Sequence, residues 1–258
     1  MQMTSPRQAP LVPSQNRVPS QNRLLTSLSR DAKARIIPNM ENISLSQGEV
    51  IFQAGDTERF VYFPNDCLLS LLYVLENGKS TEIAVVGSDG FVGSDALLGE
   101  GTSWSQALVQ NAGTAYRIRA SVLREEFYRN SELQTMVLLY IQSAMIQTAL
   151  VAACNPHYSI AQQLCCKLLF SLDRLGGDEL TLTQEAIANA LGVRRESVTD
   201  AANLLREQGA IDYCRGHIKV LDRTRLEELS SECYSVVTAE SDRLMPWQVS
   251  PAANSSHG

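Results

Sequence analysis

The chain has 258 residues, of which 44% are hydrophobic, and it carries a formal net charge of -6 at pH 7. This length accommodates two domains, and the acidic balance excludes a uniformly basic nucleic-acid-binding protein. The six cysteines form no CxxC pair, which excludes the common zinc-finger and cluster spacings and indicates reduced thiols in a cytoplasmic protein. The sequence contains no signal peptide and no apolar run clean enough to span a membrane, so we expect no membrane partner.

The amino-terminal segment is of low complexity. Residues 12–17 recur at once as residues 18–23, and proline, serine and glutamine dominate the composition. Such a segment has little apolar surface to bury, so we expect a disordered tail over residues 1–23. A helical pattern follows from Leu24 to Ile37, and Pro38 ends it.

Between residues 43 and 119 the apolar pattern is that of short strands separated by turns that contain glycine, asparagine or proline. The predicted strands are Ile43–Leu45, Val50–Phe52, Phe60–Phe63, Leu68–Leu75, Thr81–Val86, Ala107–Gln110 and Ala115–Ile118. Regularly spaced short strands are typical of a small barrel or sandwich, and a small barrel can close over one small ligand.

A short helix is predicted over Ser121–Phe127, and a long helix starts near Ser131 and breaks at Asn155-Pro156. The long helix is apolar nearly all round, which indicates burial on every side. One side can pack on the strands, and a second copy of the same helix is the simplest cover for the other. We therefore expect a homodimer, with burial inside a single chain as the alternative. A further amphipathic helix is predicted over Ser159–Leu175.

The stretch Thr183–Gly209 predicts two short helices joined by a tight turn. Ala188, Gly192 and Val198 place a small residue, a turn glycine and an inward apolar residue at the offsets of a helix-turn-helix. Two strand-like runs follow within residues 210–221, so the motif is winged. An ordinary helical hairpin with a solvated outer face is the alternative.

The outward face of the second of these helices carries side chains suited to contact bases. Arginine pairs with guanine, asparagine with adenine and carboxylates with the cytosine amino group, whereas residues at the start of the first helix meet phosphates. The predicted contacts to double-stranded DNA, including two on the wing, are Thr183, Gln184, Arg194, Arg195, Glu196, Ser197, Thr199, Asp200, Asn203, Arg215 and His217. Paired helices of a dimer would contact a near-palindromic site.

This order of strands, long helix and winged helix-turn-helix resembles the Crp/Fnr superfamily of bacterial transcription regulators. The motifs that carry the resemblance are the run Arg194–Val198 and, among the strands, Gly48-Glu49, Gly55-Asp56 and Gly90–Gly93. The resemblance covers roughly residues 24–235. It implies a cyclic-nucleotide-type sensor barrel, a homodimer, and promoter binding that recruits or blocks RNA polymerase.

A narrower resemblance is to one branch of that superfamily, in which a helix of the form GVRRxxVTxAA recurs. Residues 192–202 have this form, and Cys233-Tyr234 and Asp242–Leu244 resemble the tail of the same branch. Many members of the superfamily carry arginine at the position that matches Asp200. We therefore expect the target sequence to differ from the well-known half-sites.

The chain departs from the cyclic-AMP-responsive members. Those members carry a glutamate directly after the glycine that matches Gly93, and an arginine-serine pair about ten residues later. Here Ser94 and the pair Trp104-Ser105 occupy those positions. We expect no functional cyclic-AMP response, and we expect Trp104 either to favour a flat or apolar guest or to fill the cavity. Gly93, Ser94, Trp104 and Ser105 form the candidate pocket for an unidentified small effector.

The same segment is acidic. Asp95 and Glu100 would repel a phosphate if they point inward, although amides next to Gly93 could form an anion-binding nest. The cysteine cluster of iron–sulfur members and the barrel histidine of haem members have no counterpart in the sequence. We therefore expect no metal, no catalytic residues and no cofactor other than the unidentified effector.

The predicted fold is α+β, with an amino-terminal cyclic-nucleotide-binding-like β-barrel, a long dimerisation helix and a carboxy-terminal winged helix-turn-helix. The expected parts are a tail over residues 1–23, a sensor barrel with flanking helices over 24–130, the dimerisation helix over 131–154, the DNA-binding domain over 155–235 and a tail over 236–258.

The predicted function is that of a cytoplasmic, sequence-specific transcription regulator without enzymatic activity. One alternative is a cupin-type barrel enzyme with an accessory helical domain, which the lack of histidine among the strands disfavours. The other is an effector-independent DNA-binding protein.

Overall fold

The computed structural model describes residues 21–99 and 101–245, so most of the expected amino-terminal tail, Glu100 and residues 246–258 lie outside the described residues. The helices are α1 Arg23–Ser27, α2 Arg30–Ile36, α3 Asp95–Leu98, α4 Ala120–Arg129, α5 Ser131–Cys154, α6 Ile160–Leu175, α7 Gln184–Leu191, α8 Arg195–Glu207, α9 Arg223–Glu228 and α10 Glu232–Leu244. The strands are β1 Met40–Leu45, β2 Val50–Phe52, β3 Phe60–Pro64, β4 Leu68–Val74, β5 Ser80–Val86, β6 Gln106–Asn111, β7 Gly113–Arg119, β8 Glu179–Thr181, β9 Ile211–Cys214 and β10 His217–Val220.

The strands of the amino-terminal domain form two antiparallel sheets that share a core. One sheet has the order β1-β7-β3, and the other has the order β2-β6-β4-β5. Side chains from both sheets meet in one apolar cluster that includes Phe52, Cys67, Val92 and Ala115. The predicted strands are confirmed, and over residues 40–119, Glu100 apart, they pair as two sheets rather than as one continuous closed ring.

The amino-terminal helical segment is anchored in the core. The Asn22 side chain is fully buried, donates hydrogen bonds of 2.9 Å to the carbonyl oxygens of Pro64 and Gly90, and accepts one from the Leu25 amide. The expectation of disorder up to residue 23 is therefore wrong for Asn22 and Arg23. The reason is that the Asn22 side chain both caps α1 and bridges the end of β3 and the turn at Gly90.

The helical pattern from Leu24 to Ile37 is divided into α1 and α2. Leu28 is buried in an extended conformation, and the Ser29 hydroxyl caps α2 by accepting a hydrogen bond from the Ala32 amide. The carboxylate of Glu132, in the first turn of α5, accepts hydrogen bonds of 2.6 Å from the Ser29 amide and hydroxyl. A contact distant in sequence thus breaks what local periodicity presents as one helix.

Helix α5 begins at Ser131 as predicted, and the 3-10 turn Asn155–His157 follows it. Its first turns bury Leu133 and Val137 against α1, α2 and α4. The stretch Ser131–His157 is long and apolar enough to cross a membrane by length and composition, and only 11% of its most apolar part is buried. The expectation that no run has this character is therefore wrong. The predicted burial of α5 on every side is also not found within a single chain.

The carboxy-terminal domain has its own core, to which α6, α7, α8 and the strands β8, β9 and β10 contribute. Its fully buried apolar side chains include Leu164, Leu168, Ile187, Val198, Leu205 and Ile218. Strand β8, which the sequence pattern did not predict, pairs with β10, and β10 pairs with β9. The predicted wing hairpin is therefore backed by a third strand.

Helix α10 occupies much of the region expected to be a tail. Cys233, Val237 and Leu244 recur at helical spacing and are buried, and the Ser241 hydroxyl lies 3.0 Å from the Ser143 hydroxyl on α5. The expectation of a tail from residue 236 is wrong as far as Met245. An apolar stripe was present in the sequence and finds its partner on α5.

The two domains contact each other directly. Leu68 on β4 belongs to the apolar cluster of the carboxy-terminal domain. Lys167 on α6 forms a 2.6 Å ion pair with Glu82 on β5, and the two side chains are only 7% and 13% exposed. The Ser70 hydroxyl lies 2.8 Å from both Glu82 and Gln110, so a polar chain continues from α6 into the sheet.

Candidate nucleic-acid interface

The turn between α7 and α8 has the predicted helix-turn-helix geometry. The Thr183 hydroxyl caps α7 by accepting a 3.1 Å hydrogen bond from the Ala186 amide. Gly192 ends α7 with a φ of 67°, which lies in the left-handed region that favours glycine and lets the chain turn at once into α8. Ala188 and Val198 are 4% and 0% exposed, as close packing of the two helices requires.

Helix α8 separates an apolar from a polar face. The buried residues Val198, Ala201, Ala202 and Leu205 form one stripe against the domain core. On the other side of the helix, Arg195, Glu196, Asp200 and Asn203 are exposed, while Ser197 and Thr199 are half-buried. Arg194 is exposed at the position just before the helix. The charged and amide side chains predicted to contact bases are therefore accessible together.

Gln184 has a structural contact that the sequence did not indicate. The Thr199 hydroxyl lies 3.1 Å from Gln184 Oε1 and 3.1 Å from the backbone carbonyl of Arg195. Gln184 thereby braces the start of α7 against the first turns of α8. The two residues lie on different helices, and neither residue type carries a signal for such a pair.

The wing turns sharply at its tip. Arg215 and Gly216 have φ values of 50° and 86°, and consecutive positive values are typical of the tightest hairpin turns. A non-glycine residue at positive φ is uncommon, and here it places the exposed Arg215 side chain at the tip. The exposed His217 ring follows, with Nδ1 3.5 Å from the Thr181 hydroxyl on β8.

A groove runs between α8 and the wing, and we call it the helix–wing groove. It is lined by Thr183, Gln184, Glu185, Arg195, Asn203, Arg206, Tyr213, Arg215 and Gly216. Five of the predicted contacts therefore come together, and Arg194, Glu196, Ser197, Thr199, Asp200 and His217 lie outside this lining. Its lining carries three guanidinium groups and one carboxylate, and Asp212 lies 3.8 Å from Arg206, so the groove keeps a positive balance that suits a phosphate backbone.

Four lining residues of this groove are not among the predicted contacts, namely Glu185, Arg206, Tyr213 and Gly216. Arg206 follows Asn203 by three positions on α8, so helical spacing alone could have found it. Tyr213 on β9 donates a 3.3 Å hydrogen bond to the Leu182 carbonyl oxygen, and burial raises the pKa of its hydroxyl. No local pattern marks Tyr213, because its place in the groove depends on how the wing packs.

The two halves of the candidate effector pocket lie next to each other. The Asp95 carboxylate, beside Ser94, accepts a hydrogen bond from the backbone of Trp104. Gly93 is buried with a φ of 108°, and a Cβ there would lie 2.9 Å from the Phe60 carbonyl oxygen. Ser105 is buried, but the Trp104 side chain is 57% exposed. Of the two alternatives for Trp104, filling the cavity is therefore wrong, because the ring lies at the surface beside Tyr73.

A buried carboxylate already occupies this region. Glu58 is 7% exposed and accepts a 3.1 Å hydrogen bond from the Ala96 amide. Burial, and then the nearby Asp95 carboxylate, raise the pKa of Glu58. The Arg124 guanidinium donates to the Ala96 carbonyl oxygen. Sequence reasoning identified neither Glu58 nor Arg124, since both reach the segment from other elements.

Comparison with known protein families matches both domains. A model of the cyclic nucleotide-binding domain matches residues 42–130, and a model of the Crp-like helix-turn-helix domain matches residues 162–229. Among characterised relatives, the global nitrogen regulator of Synechococcus elongatus is 23% identical over 218 residues, which cover 81% of this chain and 97% of that protein.

Solved structures share the fold at low sequence identity. A Crp-family transcriptional regulator from Thermus thermophilus has a TM-score of 0.60 at 21% identity, covering 73% of this chain and 96% of that one. FixK2 from Bradyrhizobium japonicum has a TM-score of 0.63 at 16% identity, covering 74% and 98%. The c-di-GMP-responsive global regulator CLP from Xanthomonas campestris has a TM-score of 0.59 at 13% identity, covering 75% and 100%.

The matched domains, their order along the chain and the fold agree with one another. The domain that carries the helix-turn-helix is matched by a DNA-binding family, and the relatives are regulators, which rules against the alternative of a cupin-type enzyme. The protein is not an enzyme but a DNA-binding transcription regulator of the Crp/Fnr type, in which a cyclic-nucleotide-binding-like sensor domain precedes a winged helix-turn-helix.

Proposed function

We propose that this regulator acts in the cytoplasm as a homodimer that binds a near-palindromic promoter site and thereby recruits or blocks RNA polymerase. The observation that carries the proposal is the accessible cationic face formed by Arg195, Arg206 and Arg215 around the helix–wing groove. One such face covers one half-site, and two faces related by a twofold axis cover a palindrome.

The individual contacts follow from the chemistry of each side chain. Arg195 donates to guanine, Asn203 pairs with adenine, and Glu196 and Asp200 accept from cytosine amino groups. The remaining predicted residues hold the phosphate backbone or the wing side of the groove, which fixes register without selecting sequence. These residues are Thr183, Gln184, Arg194, Ser197, Thr199, Arg215 and His217. Because Asp200 replaces an arginine common in the superfamily, the half-site differs from the familiar ones, as expected for the branch with a GVRRxxVTxAA helix.

The dimer forms along α5. Besides Ser131, Glu132, Thr135 and Ala153, which are also exposed, the exposed positions of this helix recur every three or four residues, which is the spacing of a coiled-coil seam. They are Leu138, Gln142, Met145, Ala149 and Ala152. Leu138 is 49% and Met145 66% exposed, and alanines at the carboxy-terminal end allow close approach of a second helix. A second copy of α5 packed along this seam also buries the exposed apolar surface that makes the helix resemble a membrane span.

The sensor domain responds to an effector other than cyclic AMP. Ser94 and Trp104 replace the two groups that hold the ribose and the phosphate in cyclic-AMP-responsive members. The Glu58 carboxylate already accepts the hydrogen bond of the Ala96 amide. A phosphate at this position would therefore be repelled by the negative charge of Glu58.

Selection of DNA from a random library by the purified full-length protein tests the proposal. The expected result is enrichment of a near-palindrome whose half-site centres lie about one helical turn, roughly 10 base pairs, apart. Enrichment of a single half-site would contradict the dimer, and no enrichment at all would contradict sequence-specific binding. Repeating the selection with cell extract as a source of metabolites distinguishes a sensor from an effector-independent binder.

A further inference from the structure

Three cysteines that are far apart in the sequence come together where the end of α5 meets α6 and the start of α10, and we call them the thiol cluster. Cys166 on α6 and Cys233 on α10 are buried in one apolar cluster, and Cys154, the last residue of α5, packs against it while partly exposed. Among the residues that the structure describes, no three histidine, cysteine or carboxylate side chains are placed to hold one metal ion. The chemistry open to the thiol cluster is therefore that of sulfur itself.

Within the thiol cluster, Cys154 and Cys233 are partners of each other. Their thiols face each other closely enough for a side-chain hydrogen bond. The Cys166 thiol has a different partner, because it lies 3.2 Å from the Ser231 hydroxyl. The pair that is set to form a bond is therefore Cys154 with Cys233.

Two contacts on either side of this pair fix its alignment. The Ser241 hydroxyl on α10 lies 3.0 Å from the Ser143 hydroxyl on α5. Beyond the end of α5, the Tyr158 hydroxyl donates a 2.9 Å hydrogen bond to the carboxylate of Glu232. Helix α10 therefore runs antiparallel to α5, and its first turn is held beside the last turn of α5. This alignment places Cys233 next to Cys154 without any local sequence signal.

We propose that Cys154 and Cys233 form a reversible disulfide when a hydroperoxide oxidises the protein. In the first step the Cys154 sulfur attacks the peroxide, so that an S–O bond forms, the O–O bond breaks and the thiol proton leaves with the alcohol or water produced. In the second step the Cys233 sulfur attacks the sulfenic sulfur of Cys154, so that the S–S bond forms and the S–O bond breaks. The departing hydroxide takes the Cys233 proton as water. The two sulfurs together lose the two electrons that reduce the peroxide.

Exposure and contact assign the order of the two steps. Cys154 is partly exposed, whereas Cys233 is only 4% exposed. Burial, and then the hydrogen bond with Cys154, raise the pKa of Cys233 to about 12, so about one such thiol in 10,000 is ionised at pH 8. Groups held in contact react with effective molarities of about 10⁵ M or more, which outweighs this small fraction. Cys233 is therefore slow towards free peroxide and still able to react with its neighbour.

The disulfide would tie the end of α5 to α10 around the DNA-binding domain. It closes a loop of about 80 residues that contains α6, α7, α8 and the wing. The turn Asn155–His157, which joins α5 to α6, also lies inside this loop. The bond therefore restricts how the domain moves relative to α5, and it shifts the population of the state that binds DNA. Disulfide formation is independent of the proposed function, whereas the effect on DNA rests on it.

Such a bond suits a transient signal. Disulfides in reducing compartments are usually short-lived and serve catalysis or redox sensing. Partial exposure of Cys154 gives both the oxidant and a reducing thiol access to one end of the bond. The reduced form with free thiols is therefore the resting state, and oxidation is the event that the pair reports.

The test is treatment of the reduced, full-length protein with hydrogen peroxide, followed by peptide mapping without reductant. The wild-type protein should give a linked peptide pair that contains Cys154 and Cys233, about tenfold more abundant than any pair with Cys166. Dithiothreitol should remove it. Cys154→Ser and Cys233→Ser should each abolish the linked pair. Cys214→Ser is the matched control, because it removes an exposed thiol outside the thiol cluster and should keep the linked pair.

A sulfenic-acid reagent, dimedone, tests the order of the steps. It should label Cys154 in Cys233→Ser, where the second step is blocked, and should leave Cys233 unlabelled in Cys154→Ser. Thermal unfolding confirms that each variant is folded, and Cys233→Ala replaces Cys233→Ser if the latter is not. The proposal is overturned if peroxide oxidises Cys214 and leaves Cys154 and Cys233 unlinked, if Cys166 takes the place of either partner, or if dimedone labels Cys233 first.

The coupling to DNA is measured by fluorescence anisotropy on a site obtained by selection. Oxidation should change the half-saturation concentration for DNA more than about threefold in the wild-type protein, and dithiothreitol should reverse the change. Cys154→Ser should show no change, and because it keeps Cys214 it also controls for oxidation on the wing. An unchanged value with the disulfide formed would overturn the coupling. A protein that forms the disulfide but binds no DNA under any condition would instead contradict the proposed function.

Discussion

The ammonium nitrogen of Lys167 lies 2.6 Å from a carboxylate oxygen of Glu82, and this pair joins the DNA-binding domain to the sensor sheet. Both side chains are almost fully buried, with 7% and 13% exposure. Burial makes the pair costly to break, because removing one partner leaves an uncompensated charge away from water. The pair therefore stabilises the contact between the two domains. Removing both charges should destabilise the protein less than removing one of them.

Lys167→Met should lower the free energy of unfolding by about 3–5 kcal/mol, the usual cost of an unpaired buried charge. The double variant Lys167→Met/Glu82→Leu should recover most of that loss, since it leaves no charge behind. Lys219→Met is the matched control, because Lys219 forms a 2.9 Å pair with Glu179 at the surface. It should cost only about 0–1 kcal/mol. Urea unfolding measures all three, and equal costs for the two lysine variants would show that the Lys167 pair is not effectively buried.

Arg195→Ala should weaken binding to a selected DNA site by about 1–3 kcal/mol, the scale of one bidentate base contact. Arg225→Ala is the matched control, because Arg225 lies on α9 and pairs with Glu228 at 3.0 Å. Its effect should be small. Titrations at fixed salt against specific and scrambled DNA give both affinities, and an unchanged specific affinity for Arg195→Ala removes that residue from base contact.

Gln184→Ala should have a mixed effect. The expected phosphate contact predicts a small loss of affinity that is the same for all sequences. The Thr199 contact adds a second effect, because without Gln184 the start of α8 loses a brace. We therefore expect some loss of discrimination between specific and scrambled DNA as well, and an equal loss for both sequences would show that the brace is dispensable.

The parts of this fold that could be predicted are those fixed by local spacing. Thr183, Gly192 and Val198 lie within one short stretch, and each acts through a cap, a turn or a helical face that its neighbours determine. The strand positions of the amino-terminal domain were predictable for the same reason, whereas β8 was not predicted. The outward-facing positions of α8 follow from the same spacing, since Val198, Ala201, Ala202 and Leu205 are buried.

The features that sequence reasoning missed depend on partners far along the chain. Asn22 bonds to Pro64 and Gly90, and the break before α2 depends on Glu132. Glu58 enters the effector segment in the same way, through the Ala96 amide. In each case the residue type alone is compatible with a solvated surface, so only the tertiary arrangement reveals the role.

Met145→Asp should convert the dimer into monomers. Met145 is 66% exposed in one protomer and lies in the proposed seam, so the substitution buries an unpaired charge only when two copies meet. Ile141 is less suitable, because it packs against the core of its own protomer. Tyr128→Asp is the matched control, since Tyr128 is 70% exposed and lies on α4 rather than on the helix that carries the seam. Sedimentation at micromolar concentration distinguishes dimers from monomers. A monomeric wild-type protein would refute the proposed seam.

The thiols should differ sharply in reactivity. Burial raises the pKa of Cys67 and of Cys165 to about 12, so at pH 8 almost none of either thiol is in the reactive thiolate form. Cys214 is exposed on the wing strand β9. Iodoacetamide followed by mass spectrometry should modify Cys214 rapidly and the two buried thiols slowly. If the wing contacts DNA as proposed, a selected site should protect Cys214, and scrambled DNA should protect it less.

The charge around α3 disfavours the binding of cyclic AMP. A buried phosphate needs a cation or several free N–H donors. The Ala96 amide already donates to Glu58, burial raises the pKa of both Glu58 and Asp95, and the Trp104 side chain is at the surface. None of these groups supplies positive charge, and the nearby Arg124 guanidinium already donates to the Ala96 carbonyl oxygen.

Calorimetric titration of the purified protein with cyclic AMP should therefore show no binding at physiological concentrations, and DNA affinity should be the same with and without it. Glu58→Gln removes the buried charge while keeping an acceptor for the Ala96 amide. Any weak affinity for inorganic phosphate or cyclic AMP should rise in this variant, because repulsion falls while the amide geometry is kept. Micromolar binding of cyclic AMP to the wild-type protein, with a gain in DNA affinity, would show that the Ser94 and Trp104 positions do not decide nucleotide recognition here.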